Sequence, residues 1–177
     1  MTKIAFLMDP IETVAIKKDS TLAMIRAAQV RGMEPYYCRQ EDLVITETRV
    51  CAYLRPLSLV EHFAEALDPA SVNNGDDPWF TLGSAELLPL SNMDIVMMRK
   101  DPPFDMEYIY TTYLLERAET EGVRVVNRPG SLRDCNEKLF ATAFPQCCPP
   151  LLVSADNTRL KSFHAEHGDV IFKPLDG

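Results

Sequence analysis

The chain has 177 residues, 46% of them hydrophobic and 25% charged, with a formal net charge of −8 and a pI near 4.9. That length suffices for one good core and the start of a second domain. The acidic balance argues against a chain that wraps nucleic acid or coats an anionic membrane, because both depend on basic surfaces.

The longest apolar runs, such as Ile95-Val96-Met97-Met98, are far too short to span a bilayer. The start lacks a basic-then-apolar signal region, so the expected location is cytoplasmic. Five cysteines (Cys38, Cys51, Cys135, Cys147 and Cys148) are scattered without the C-x-x-C spacing of metal or redox sites, which predicts reduced, mostly buried thiols. His62, His164 and His167 form no ligand pattern with acidic residues, and no metal site is expected among the residues in hand.

In chain order, Lys3-Ile4-Ala5-Phe6-Leu7-Met8 predicts a buried strand that stops at Asp9-Pro10. Asp19 or Ser20 can cap a helix over 21–31, with Leu22, Ile25, Ala28 and Gln29 near one face and Gly32 closing it. A strand over 34–38 completes a β-α-β opening. Strands at 43–46 and 49–54 flank Glu47-Thr48 as a hairpin. From 68 to 83 the Pro, Asn, Gly and Asp content predicts a loop, with Trp79 and Phe80 pinning it to the body. A strand over 94–98, a helix over about 106–121 and a strand over 124–127 follow. This alternation implies an α/β fold with a mostly parallel sheet covered on both faces. Arg128-Pro129-Gly130 marks a domain boundary, dividing 1–128 from 129–177. Beyond it the pattern predicts a helix over 132–143, a strand over 151–153, a helix over 157–167 and a buried terminal strand over 169–173.

Three segments place polar residues at the ends of apolar strands, where open α/β sheets hold their ligands. In the first, Met8-Asp9-Pro10-Ile11 precedes Lys17-Lys18-Asp19-Ser20, which is either an anion site at a helix start or a solvated loop with a cap. The second, Met98 to Asp105, presents Arg99 and Lys100 on a loop stiffened by Pro102 and Pro103. These cations suit an anionic peptide, or else form an ion-paired turn neutralised by Asp101 and Asp105. The third, Ser131-Leu132-Arg133-Asp134-Cys135-Asn136-Glu137-Lys138-Leu139-Phe140, cannot bring Arg133, Asn136 and Lys138 to one helix face. With Lys173, which emerges from Val170-Ile171-Phe172 before Pro174, Lys138 offers a two-lysine clamp for a triphosphate.

Met8-Asp9-Pro10, Ile16-Lys17-Lys18-Asp19-Ser20, the 98–105 loop, Ile109-Tyr110 with Thr112-Tyr113 and Leu115-Glu116-Arg117-Ala118, the 131–140 run and Lys173 to Gly177 together resemble bacterial glutathione synthetases. The resemblance covers nearly the whole chain and is weakest over 42–90. It implies a Rossmann-like pre-ATP-grasp domain followed by the first part of an ATP-grasp domain. It further implies an ATP-dependent ligase that joins γ-glutamylcysteine to glycine through an acyl phosphate, using ATP and Mg²⁺, in a homotetramer. The lysines matching Lys138 and Lys173 contact the nucleotide phosphates in that family. Lys18, Arg99 and Lys100 are assigned to the dipeptide from their positions. The glycine-rich lid and the Mg²⁺ ligands are expected after residue 177, which predicts that this chain alone is inactive. Another ATP-grasp carboxylate-amine ligase and a non-catalytic, truncated peptide- or partner-binding protein are the alternatives.

Overall fold

The computed structural model describes residues 1–16, 18–60 and 79–175. Lys17, His62 and most of the expected 68–83 loop therefore lie outside the described residues, as do the last two positions.

The opening forms as its pattern predicts: strand β1 (Lys3–Met8), helix α1 (Ser20–Val30) and strand β2 (Glu34–Cys38). The Asp19 side chain accepts from the Leu22 N–H at 2.9 Å and caps α1. After it, Gly32 takes φ +69°, a conformation open to glycine at little cost. Strands β3 (Leu43–Thr46) and β4 (Arg49–Leu59) form the hairpin. Its turn takes positive φ at both Glu47 and Thr48, 50° and 70°, the geometry that usually selects Asn-Gly, here adopted by two non-glycine residues.

Strand β4 is longer than the sequence pattern indicates and carries antiparallel partners along its length. It pairs with β3, with β2 at Tyr36↔Pro56 and Tyr37↔Arg55, and with two further short strands, β5 (Phe80–Leu82) and β6 (Glu86–Pro89). Part of the expected 68–83 loop is thus strand, and Trp79 holds the chain there by accepting from the Val60 N–H at 3.0 Å. The parallel part consists of β2, β1, β7 (Ile95–Arg99) and β8 (Arg124–Val126), in that order. The sheet is therefore mixed, with its antiparallel half built around β4.

Alternation along the central strands separates two cores. Ile4, Phe6 and Met8 face α1 together with Leu22, Ile25 and Ala28. Ala5, Leu7, Val96 and Met98 face helix α2 (Met106–Thr120) with Leu115 and Ala118. Burying both faces of β1 is what its uninterrupted apolar run requires.

The region after β8 departs from expectation. Instead of one helix over 132–143, a short helix α3 (Pro129–Asp134) stops at Cys135, and single 3-10 turns follow at Phe140–Ala143 and Pro145–Cys147. The Asn136 side-chain carbonyl accepts from the N–H groups of Lys138 and Leu139 at 3.0 and 3.2 Å, a local arrangement that competes with helix continuation. Helix α4 (Asn157–His167) forms under an Asp156 cap, and His164 and His167 lie exposed on it. Residues 151–153 and 169–173 are not strands: no ladder partner reaches them among the described residues, and Ile171 is 84% exposed. The thiols also divide differently, with Cys38 and Cys51 buried but Cys135 and Cys147 exposed.

Candidate functional site

The register β1–β7 pairs Met8 with Arg99, so the residues that follow, Asp9 and Lys100, leave the sheet side by side. Strand alternation then decides where each side chain goes. Ile95 and Met97 pack on the α1 side, and Arg99 continues that face. Its Nε donates to Thr21 Oγ1 at 3.1 Å and its Nη2 to Ser20 Oγ at 2.8 Å, both in the first turn of α1. Lys18 is exposed just before the Asp19 cap, at the same end of that helix.

Lys100 turns the other way. Its ammonium sits 2.8 Å from Asp9 Oδ1 and donates to the Asp101 carbonyl at 2.7 Å, while the Asp101 N–H donates to Asp9 Oδ2 at 2.9 Å. Asp9 thus supplies the countercharge expected from Asp101 and Asp105. Asp105 instead caps α2 by accepting from the Tyr108 N–H at 2.9 Å. The two cations of the 98–105 loop are thus held on opposite sides of the strand end, Arg99 at the start of α1 and Lys100 beside Asp9.

A cleft of about 450 Å³ opens on the Lys100 side, bounded by Asp9, Arg39, Glu41, Glu107 and Thr111 among others. Arg39 Nη2 meets Glu41 Oε1 at 2.7 Å, whereas Arg39 Nε is buried without a hydrogen-bond partner. Arg39 and Asp9 carry no role in the sequence reading. The in-register partnership of the strand ends is the signal that could have found Asp9. Nothing local marks Arg39, because β2 reaches this edge only through tertiary pairing.

A second cleft, of about 420 Å³, lies where the 102–104 loop meets α2 and α3, lined by Phe104, Tyr108, Arg128, Asn136 and Glu137. Burial, with Glu137 adding to it, raises the Tyr108 phenol above its ordinary range. Asn136 joins the elements that carry the expected clamp lysines. Its carbonyl holds the turn bearing Lys138, and its Nδ2 donates to the Leu175 carbonyl at 3.1 Å, two residues beyond Lys173. The Lys138 side chain is 16% exposed, with Nζ 3.6 Å from Glu137, and Lys173 is exposed. Arg133 faces away from this turn, onto α2. There it pairs with Glu116 at 2.8 Å, donates to Thr112 Oγ1 at 3.1 Å and stacks 4.6 Å from the Tyr113 ring centroid. No cluster of His, Cys, Asp and Glu among the described residues could hold a metal ion.

Residues 2–133 match the family described as prokaryotic glutathione synthetase, N-terminal domain, and residues 137–177 match its ATP-grasp domain. Glutathione synthetases of Pseudomonas putida and Nitrosomonas europaea are 53% and 49% identical over 175 residues, 99% of this chain and 51% and 52% of theirs. That of Shewanella oneidensis is 47% identical over 177 residues, 100% of this chain and 52% of its own. The chain therefore spans about half the length of the curated relatives it matches. Among solved structures, the ATP-grasp ligase PsnB complexed with minimal precursor is similar with a TM-score of 0.47 and 19% identity, over 99% of this chain and 54% of that one. From Thr2 to its last residues, through the strand ends that set Asp9 beside Lys100 and the turn that Asn136 closes, this chain belongs to the prokaryotic glutathione synthetase family.

Proposed function

We propose that the chain supplies the substrate side and the first nucleotide-binding elements of a ligase that joins γ-glutamylcysteine to glycine with ATP. In that reaction the cysteinyl carboxylate attacks the γ-phosphorus and ADP leaves. The glycine amine then attacks the acyl carbon, loses a proton and expels phosphate. Catalysis of such a transfer rests mainly on positioning and on cations around the phosphates.

Asn136 is the observation that carries this reading. It holds the Lys138 turn with its carbonyl and the segment after Lys173 with its amide, so one side chain tethers both cation-bearing elements. Lys138 and Lys173 are assigned to the ATP phosphates, and Lys18 and Arg99, at the start of α1, to an anionic end of the dipeptide. Lys100 is assigned to the dipeptide from the opposite face. The division into 1–128 and 129–177 is supported by Arg128-Pro129-Gly130 and by the change there from sheet to short helices. A cytoplasmic homotetramer is proposed from the family. The described residues do not fit Mg²⁺, and its ligands are assigned outside them.

The chain alone is expected to bind ATP but to make no glutathione. Calorimetry with ATP tests this, with Lys138→Met and Lys173→Met expected to weaken affinity at least tenfold together. Unchanged affinity in the double variant, or no ATP binding by the parent chain, would overturn the clamp assignment; glutathione formation by the chain alone would overturn its inactivity.

A further inference from the structure

Helix α3 joins the sheet to the segments that carry Lys138 and Lys173, and it has only six residues. Its apolar anchors are Pro129, which is buried, and Leu132, half-buried against the core that holds Leu115 and Ala118 of α2. Apolar contact is non-directional, so these anchors set how close α3 lies but not how it is rolled or tilted.

Arg133 supplies the direction. Its Nη2 pairs with Glu116 Oε2 at 2.8 Å, its Nη1 donates to Thr112 Oγ1 at 3.1 Å, and its guanidinium lies 4.6 Å from the Tyr113 ring centroid. Thr112 is fully buried and gives its own proton to the Ile109 carbonyl at 2.6 Å, so its oxygen is fixed as an acceptor. Contacts to three residues of one helix define an orientation, and a planar fork holds it more strictly than an ammonium can.

What α3 carries at its end is Asn136. Its carbonyl accepts from the N–H groups of Lys138 and Leu139, and its amide donates to the Leu175 carbonyl. The path from Arg133 to both lysine-bearing segments therefore runs through the end of α3 and one side chain. A helix of six residues is about 9 Å long, so a tilt of about 10° about Pro129 moves its C-terminal end by about 1.5 Å. Misplacing a binding group by about 1 Å can cost about 10²-fold in rate.

We infer that Arg133 is a positioning residue for the nucleotide cations: by locking α3 onto α2 it sets where Asn136, and through it Lys138 and Lys173, are held. The inference rests on the proposed assignment of those lysines to the ATP phosphates. Arg133 itself is directed at α2 and neutralised there by Glu116, so it acts through position and not through its charge.

The sign of one substitution separates the two roles. Glu116→Ala, at a half-exposed helix position suited to alanine, removes a negative charge and one prong of the fork. Acting by position, Arg133 then loses its hold, and calorimetry on this chain should show ATP binding at least threefold more weakly; acting by charge, it would be unmasked and ATP would bind more tightly. Arg133→Lys keeps the charge but not the fork and should weaken ATP at least threefold, and Arg133→Met at least fivefold. Without nucleotide, hydrogen exchange at the Lys138 and Leu139 amides should accelerate at least fivefold in Arg133→Met while β1 stays protected, which also shows that the fold is intact. Tighter or unchanged ATP binding in Glu116→Ala, parental affinity in Arg133→Lys, or unchanged exchange at 138 and 139 would overturn the inference and leave the clamp standing. Absence of ATP binding by the parent chain would overturn both together.

Discussion

Replacing Asp9 by alanine probes the strand-end arrangement most directly. The carboxylate faces the Lys100 ammonium at 2.8 Å and accepts from the Asp101 N–H at 2.9 Å. Lys100 is 17% exposed and Asp9 31%, so the pair lies between the limits for ion pairs. Exposed pairs contribute about 0.2–1 kcal/mol, and breaking a fully buried pair costs about 3–5 kcal/mol. Hydrogen bonds to charged groups contribute about 1.5–3 kcal/mol, and the same carboxylate makes both interactions here, so they are not summed. Asp9→Ala is expected to cost about 2–3 kcal/mol in urea unfolding, which for a chain of this size lowers Tm by about 4–12 °C. Much of that cost is the stranded ammonium. Adding Lys100→Met removes the charge while keeping an apolar stem, and the double variant should recover about 1 kcal/mol. A cost below about 0.5 kcal/mol for Asp9→Ala, or strict additivity of the two substitutions, would refute the claim that Asp9 is the countercharge of Lys100.

Arg133→Met removes the pair with Glu116, the bond to Thr112 and the stacking on Tyr113. It should cost about 1–2 kcal/mol and accelerate amide exchange in α3 before any effect on β1. Burial, with Asp42 beside it, pushes the Cys38 thiol up to about 12, whereas Cys135 and Cys147 are exposed. At pH 8, iodoacetamide followed by mass spectrometry should modify Cys135 and Cys147 first and reach Cys38 only in denaturant. Burial likewise raises the Tyr37 phenol to about 12. Unfolded tyrosine ionises near pH 10, so its contribution to stability is complete below about pH 10 and is lost as pH rises through about 12. Urea midpoints between pH 9 and 11.5 should therefore fall less steeply in Tyr37→Phe than in the parent chain.

The elements that could be read from the sequence are those whose signal is local and whose burial is two-sided. Lys3–Met8 reads as a strand because every residue from Ile4 onward is apolar, and both of its faces are buried. Helix α1 reads correctly because Asp19 caps it, Leu22, Ile25 and Ala28 share a face, and Gly32 ends it. The errors have a different physical origin. The helix drawn over 132–143 has helical composition, but the Asn136 side chain satisfies two N–H groups locally and turns the chain. Residues 169–173 have strand composition, yet a strand exists only where a partner supplies the ladder, and among the described residues none does. Antiparallel β5 and β6 were unreadable for the same reason in reverse: β4 recruits short segments that carry little signal of their own.

The candidate site follows the same logic. Arg99 and Lys100 are adjacent in sequence, but neighbours at a strand end point to opposite faces. The burial pattern of Ile95–Arg99 already contained the separation, since Val96 and Met98 face one core while Ile95 and Met97 face the other. A sheet edge built this way presents two cations at its carboxyl end, one toward each helix layer. Arg99 is tied to the start of α1 and Lys100 to Asp9, so each position is fixed by a different neighbour. Substituting one should leave the geometry of the other intact. If ligand binding depended equally on both, the ligand would have to span the strand end, with one anionic group on each side of it. A dipeptide with two separated carboxylates has that form, which is why Arg99→Ala and Lys100→Ala are expected to weaken γ-glutamylcysteine additively rather than redundantly.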